Sequence, residues 1–425
     1  MLSLISTVLA GAAVLTCVLI VVISRQLIHD FRQVPPVPLQ SDAELPPAAV
    51  ILCVRGADPT LSSCLNGLMS QQYPDFEVHI VLDNDLDPAA DVVRQIIKQS
   101  TGLNVEVHIL ETPDPARGLK VSAILQALEA IPKRFRMIAF LDADTAPYPF
   151  WLRDLVQPLQ SPEVGATSGI RWFVPEVSNL GSLIRAKWNL YAVALMRNFN
   201  IAWGGSFAIR RDIIERSNLL NRWSETLCED TCIGDTLADA GYQVRLVPEA
   251  SMINGESTTI AGCHRFITRQ LIFTRLYSRG WTPILLFGLG LSVISILIPF
   301  HLVLTLLNSD LTAFAVTAAT MSSFIVGISL LENRIARLAA VHGQHGEAIR
   351  IASPTGVVGA VFRNYICQMA CVCVSGAAFV NAAFARRLEW RGIVYRLRRS
   401  RVTLVQYQPF VPVVETDSKL RGISI

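Results

Sequence analysis

Long uncharged runs and short apolar alternations divide the chain into two kinds of territory. Residues 2–24, LSLISTVLAGAAVLTCVLIVVIS, carry no charge. As a helix they reach about 34 Å, enough for a bilayer core. The run is long for the apolar part of a signal peptide and no basic region leads it, so it predicts a retained anchor. Two more uncharged runs, 282–307 and 311–331, are parted only by Asn308-Ser309-Asp310. They predict a tight hairpin across a bilayer. A fourth apolar stretch, 356–384, contains Arg363, Asn364, Gln368 and Asn381, and RRLEWRGIVYRLRRSR follows with seven arginines against one glutamate. Basic flanks favour the cytoplasm. That rule puts the chain after Arg25, His29 and Arg32 inside, and returns it there at Arg334 and Arg337. A full span at 356–384 would put the basic stretch outside, so a re-entrant or interfacial segment is expected.

Residues 48–255 change period. AAVILCVRG, 48–56, is a short apolar run ended by Gly56, which reads as a buried strand. LSSCLNGLMSQQY, 61–73, spaces Leu61, Cys64, Leu65, Leu68 and Met69 as a helix does. FEVHIVLDND (76–85), NVEVHILE and RMIAFLDAD read as further strands, with AADVVRQIIKQS and KVSAILQALEAI as helices between them. Such alternation predicts a parallel sheet with helices on both faces. The chain thus divides into an anchor at 1–26, a globular domain at 45–281, a membrane hairpin at 282–332, an interfacial or re-entrant segment with a basic tail at 333–401, and a tail at 402–425.

Composition agrees with this mixture. Hydrophobic residues make up 51% and charged residues 17% of 425, with mean hydropathy +0.41. That is too apolar for a wholly soluble protein and too polar for a bare membrane bundle. A net charge of +3 gives no reason to expect nucleic acid as a partner. The nine cysteines show no paired framework. Cys228/Cys232 and Cys367/Cys371/Cys373 lack the residues that would complete a metal site, so they read as buried thiols. No GxxxxGK[ST] phosphate loop appears.

Candidate chemistry lies at two strand ends. AFLDADTAPYPFW, 139–151, runs an apolar strand into Asp142-Ala143-Asp144. Asp and Pro also make ordinary turns. A lone pair of acids therefore does not choose between a turn and a seat for a divalent cation with a phosphorylated ligand. A second strand end carries Asp83, Asp85 and Asp87. Open sheets of this kind bind ligands beyond the carboxyl ends of their strands. Two acidic ends in one sheet favour the site, because chance turns have no reason to converge.

Seven stretches run in a familiar order: VLDNDLDPA, GLKVSAILQAL, FLDADT, GGSFAIRRD, CEDTCIGDTLADAGYQVRLVPEA, RQLIFTRLY and WRGIVYRLR. Together they resemble the membrane-bound family 2 glycosyltransferases, in particular the ceramide-glucosyltransferase-like and hopanoid-glycosyltransferase-like branch. The resemblance covers about residues 45 to 400. It implies an α/β fold, a GT-A (Rossmann-like) cytoplasmic glycosyltransferase domain flanked by transmembrane helices. It also implies inverting transfer of a hexose from a nucleotide sugar, usually a UDP-sugar.

The resemblance assigns roles by position. Asp83 faces the base, with Asp85 as rival if the register shifts. Lys120 meets the diphosphate. Asp142 and Asp144 hold Mg²⁺ or Mn²⁺ against it. Asp230 takes the acceptor proton, and its neighbour Glu229 lies in the binding shell. In AWGGSFAIRRD, Gly205 lets a backbone approach substrate and Trp203 offers an apolar face. One station departs from the pattern. Relatives carry (Q/R)xxRW, but here Arg269 opens RQLIF and Ile272-Phe273 stands where Arg-Trp is expected. Phe273 can still stack, whereas Ile272 cannot bind a diphosphate, so Arg269, Arg275 or a neighbour must supply that charge.

A site tethered to membrane segments suits an acceptor that lives in the bilayer. The expected acceptor is the hydroxyl of a ceramide-like, hopanoid or glycerolipid molecule, with Trp281, Trp390 and Tyr395 at the interface. A polysaccharide synthase would need more spanning helices and an intact Arg-Trp pair. A degenerate, non-catalytic membrane scaffold is favoured only by the change at Ile272-Phe273.

Overall fold

The computed structural model describes residues 1–32, 41–99, 104–111, 113–177, 179–342 and 357–411. The expected tail at 402–425 lies outside them beyond residue 411. The chain opens on α1 (Leu2–Arg32), then alternates β1 (Ala48–Val54), α2 (Leu61–Met69), β2 (Phe76–Leu82), α3 (Ala89–Gln99), β3 (Asn104–Ile109), α4 (Leu119–Ala130) and β4 (Met137–Asp142). Next come α5 (Trp151–Val156), β5 (Val164–Ser168), β6 (Arg171–Phe173), α6 (Leu180–Asn198) and β7 (Ser206–Arg210). Short helices α7 (Arg211–Arg216), α8 (Leu219–Trp223) and α9 (Ile233–Asp239) lead to β8 (Gln243–Leu246) and β9 (Met252–Asn254). Four long helices follow: α10 (Ile260–Tyr277), α11 (Trp281–Leu307), α12 (Leu311–His342) and α13 (Val357–Phe384). The described chain closes on β10 (Arg387–Trp390), β11 (Ile393–Arg398) and β12 (Arg401–Gln406).

The main sheet runs β3-β2-β1-β4-β7-β5-β8. Its first four strands are parallel, as the alternation of strands and helices predicts. β1 is apolar throughout because both of its faces are covered. Ala49 and Ile51 face a core that includes Ile124 and Ala127 of α4. Val50 and Leu52 face the opposite core, against Leu61, Leu65 and Leu68 of α2. The sheet is not wholly parallel, however. β7 pairs antiparallel with both β4 and β5. Direction is set by where the chain re-enters after α6, and hydropathy period carries no trace of it.

Among the described residues, four helices are long and apolar enough to cross a membrane: α1, α11, most of α12, and Tyr365–Phe384 of α13. Inward residues of α1, such as Leu9, Ala13 and Ile20, pack with Leu291, Ile298, Phe324 and Ile328. Leu4, Val8, Val18, Phe300, Val303 and Leu330 are exposed. An outer apolar surface of that kind suits lipid rather than water. α1 and α12 run beyond the predicted runs. Their ends bring Leu27 and Phe31, and Ile335 and Ala339, onto Ile170 and Trp172 of the globular domain. The membrane helices and the sheet are therefore joined by shared core.

The basic segment after α13 is a small antiparallel sheet packed on the globular domain. Leu404 N–H donates to the Pro115 carbonyl at 2.8 Å. Tyr395, expected at a membrane interface, is fully buried, and its hydroxyl accepts the Leu119 N–H at 3.1 Å. Strand alternation points it into the core, which its one-dimensional position beside a basic run does not reveal.

Candidate active site

Strand ends β1, β2 and β4 meet the start of α4 and the turn before α9. Asp142, the last residue of β4, receives Lys120 Nζ on Oδ1 at 2.6 Å and Arg171 on Oδ2 at 2.8 Å. Arg171 also reaches Asp144 at 3.4 Å. Burial pushes the Asp142 carboxyl up, but Lys120 and Arg171 outweigh it and hold the group down at about 2. Asp144 is raised, chiefly by burial. The two expected metal carboxylates thus converge, and a guanidinium stands between them. Arg171 was not expected. It lies in an unremarkable GIRWF stretch with no local signal.

Lys120 does not project freely toward a ligand. Its ammonium also lies 2.5 Å from Glu229 Oε1 and 3.4 Å from the Gly204 carbonyl. It ties the Asp142 station to the Glu229 station. Glu229 is buried, and desolvation pushes its carboxyl up to about 7 against the pull of Lys120. Asp230 lies beside it at Gly204 but has other partners. Its Oδ2 accepts Gly204 N–H at 2.9 Å, and it is more exposed than Glu229 and lines the cavity described below.

Glycine at 205 has a steric cause. A methyl there would collide with the Trp203 ring and the Asp142 carboxylate. Trp203 is mostly buried, and the Arg171 guanidinium covers its ring at 4.8 Å. Its apolar face therefore supports Arg171.

Asp83 lies at the end of β2 and is only 4% exposed. Its carboxylate accepts from Arg55 at 2.5 Å, Tyr407 Oη at 3.2 Å and the Phe410 N–H at 2.7 Å. Asn84 Nδ2 donates to the Phe410 carbonyl at 2.9 Å. The strap 407–411 therefore lies over Asp83, with the Phe410 ring against Gly56. Asp85 is exposed and outside the cavity, so Asp83 is the better placed of the two rivals. Asp87 is structural: it accepts the Gly56 and Ala89 amides. Arg55 was also missed, although a charged residue closing an apolar strand before glycine is a visible signal.

On α10, Arg269 and Phe273 line the cavity. Arg269 lies 5.1 Å from the Trp390 ring centre and 5.5 Å from that of Phe266. Burial, then Arg391 and Arg171, lower it to about 10. Phe273 meets Trp390 at 5.9 Å, so Trp390 faces the site instead of a membrane interface. Arg275 is committed elsewhere, donating to the Ala383 and Ala385 carbonyls at the end of α13. Of the substitutes for the missing arginine, Arg269 has the position and Arg275 does not.

Asp83, Asp142, Asp144, Glu229, Asp230 and Arg269 share one cavity of about 1480 Å³, which Asp85, Arg275 and the expected substrate-binding Gly205 do not line. Its polar end holds Asp83, Asp142, Asp144 and Asp230; its apolar end is lined by Trp188, Phe287, Leu291, Val372 and Phe379. Among the described residues no three His, Cys, Asp or Glu side chains group closely enough to hold an ion alone. Asp142 and Asp144 still fit Mg²⁺ or Mn²⁺. Such ions bind one or two carboxylates and take their other oxygens from phosphate and water.

The chain is similar to several known proteins. Ceramide glucosyltransferase 1 of Caenorhabditis elegans is 22% identical over 240 residues, 55% of this chain and 51% of that protein. Glycosyltransferase AglE of Haloferax volcanii is 26% identical over 175 residues, 40% of this chain and 55% of that one. The matches span about half the length of these relatives. A mannosyltransferase from Pyrobaculum calidifontis, solved with GDP-Man and Mn²⁺, superposes with a TM-score of 0.52 at 19% identity, covering 90% of this chain and 99% of that one. That likeness establishes the GT-A fold. The model of glycosyl transferase family 21 matches residues 8–403, nearly the whole chain, and the protein belongs to that family.

Proposed function

We propose that the enzyme moves a hexose from a UDP-sugar to the hydroxyl of a membrane lipid, with inversion. The observation that carries this reading is the continuity of the cavity from the acidic strand ends to the apolar gap between α6, α11 and α13. A sugar donor is polar and multiply charged. A lipid chain needs apolar walls reachable from the bilayer. One cavity with both characters suits a reaction that joins them. The names of the curated relatives support a ceramide-like acceptor, with a hopanoid or glycerolipid as the other candidates.

Each residue then has a task. Asp83 and Asn84 offer an acceptor beside a donor. The Phe410 peptide meets them with its N–H and C=O, the pair that the imide edge of uracil also presents. The base is read there when the strap yields. Asp142 and Asp144 would hold the divalent ion, which when bound neutralises the leaving diphosphate. Arg171 and Arg269 add positive charge. Lys120 keeps Asp142 and Glu229 in place. Asp230, beside the cavity, accepts the proton of the attacking hydroxyl. The globular domain lies on the cytoplasmic side, where nucleotide sugars and the basic flanks belong.

The test is transfer by the full chain in lipid nanodiscs. Labelled UDP-, GDP- and other nucleotide hexoses are offered with ceramide, diacylglycerol and hopanoid in turn. Label from a UDP-hexose in the lipid phase is expected. Label only in a water-soluble polymer, or only from GDP-sugars, overturns the acceptor or the donor reading respectively.

A further inference from the structure

We propose that Arg391, at the tip of the β10–β11 hairpin, binds the donor diphosphate together with Arg269, and that Trp390 supplies the aromatic partner. The hairpin thus does the work of the Arg-Trp pair missing at 272–273. This rests on the nucleotide-sugar reading above and names the residues of that same site.

Position 272 is in the wrong place for a ligand. Ile272 is 1% exposed, packed in the main core, and absent from the cavity wall. An arginine there would be buried away from the site. The hairpin instead packs on α10 and lines the cavity. Its Trp390 ring lies 5.9 Å from the Phe273 ring and 5.1 Å from the Arg269 guanidinium. Arg391 follows immediately and lines the same cavity.

The backbone at Arg391 is unusual. Arg391 and Gly392 have φ of 49° and 75°, and they are the only two residues between β10 and β11. Two-residue hairpins with both φ positive favour Asn or Gly at the first position. An arginine there is strained, as is Arg399 with φ of 54° in the next turn, but of the two only Arg391 lines the cavity. The guanidinium is braced by the loop after β1: Nη1 donates to the Arg55 carbonyl at 3.2 Å, and Nη2 lies 3.8 Å from Asp58. From there it shares the cavity wall with Asp142 and Asp144. Arg269 Nε is buried without a hydrogen-bond partner. A diphosphate would draw these cations together through charge-assisted hydrogen bonds.

The experiment uses the full chain in nanodiscs and titrates UDP, uridine and inorganic pyrophosphate, each with Mn²⁺. Glycine suits the turn, so Arg391→Gly is expected to keep or raise the melting temperature. It is expected to weaken UDP and pyrophosphate by at least about tenfold while leaving uridine unchanged. Arg391→Lys, with the charge but not the fork, is expected to recover part of the loss. Pyrophosphate binding by Arg391→Gly equal to wild type overturns the proposal. So does equal weakening of uridine, which signals a collapsed site. If wild type binds pyrophosphate but no nucleoside diphosphate, the nucleotide-sugar reading fails, and the pyrophosphate arm still decides Arg391. If it binds none of the three, both readings fall.

Discussion

Lys120 Nζ lies 2.5 Å from Glu229 Oε1 in a largely buried pair, and the same ammonium holds Asp142 at 2.6 Å. Three residues from three distant sequence stations thus form one charge bridge under the site. Removing a partner from a buried pair leaves the other uncompensated, at about 3–5 kcal/mol. Lys120→Met, which keeps the apolar stem, is expected to lose stability on that scale and to lose transfer. Denaturant unfolding in micelles measures it. An unchanged midpoint would show that Glu229 and Asp142 do not depend on the lysine.

Glu229 makes stability depend on pH near neutrality. Burial raises its folded value to about 7, above the ordinary 4.5, so the neutral form is favoured by folding. Its contribution is complete below the ordinary value and is lost as pH rises through about 7. Melting temperatures of wild type are expected to fall across that window, and those of Glu229→Gln to change less. Parallel curves would remove Glu229 as the titrating group.

Asp230 and Glu229 are neighbours with different surroundings. Asp230 is the less buried and faces the cavity. Asp230→Asn keeps shape but accepts no proton. Turnover is expected to fall by about 10²–10⁴-fold, with UDP affinity unchanged. A loss confined to donor affinity would move Asp230 into the binding shell.

Asp144 tests the metal. Asp144→Asn is expected to weaken Mn²⁺-dependent UDP binding and to abolish transfer while the chain stays folded in membranes. EDTA is expected to silence wild type. Near wild-type turnover of the variant in EDTA would remove the ion from the reaction.

The membrane course of α13 is open to labelling. Ile335 and Ala339 of α12 pack on the globular domain, and so does the sheet that follows α13. A re-entrant or interfacial course for residues 356–384 is the expectation put to the test. Cysteines at Ser400 and Lys98 are expected to react with an impermeant maleimide from the same face. Labelling from opposite faces would make α13 a single span.

The sequence by itself determined the membrane helices and the parallel half of the sheet. Burial on one side or both stamps a period on apolar residues, and β1 through β4 with α1, α11 and α12 carry that stamp plainly. It also determined the two acidic strand ends, because their acids lie close together in the chain. Only the tertiary structure decided who meets them. The reversed direction of β7, Arg171 between Asp142 and Asp144, and the commitment of Arg275 to α13 all depend on the path of the chain between elements. The Phe410 amide reaches Asp83 across 327 positions, and the hairpin carries Trp390 to Phe273. Hydropathy records that a face is covered or that a charge is present. It holds no record of the partner, since any segment of suitable chemistry that the fold delivers satisfies the same local pattern.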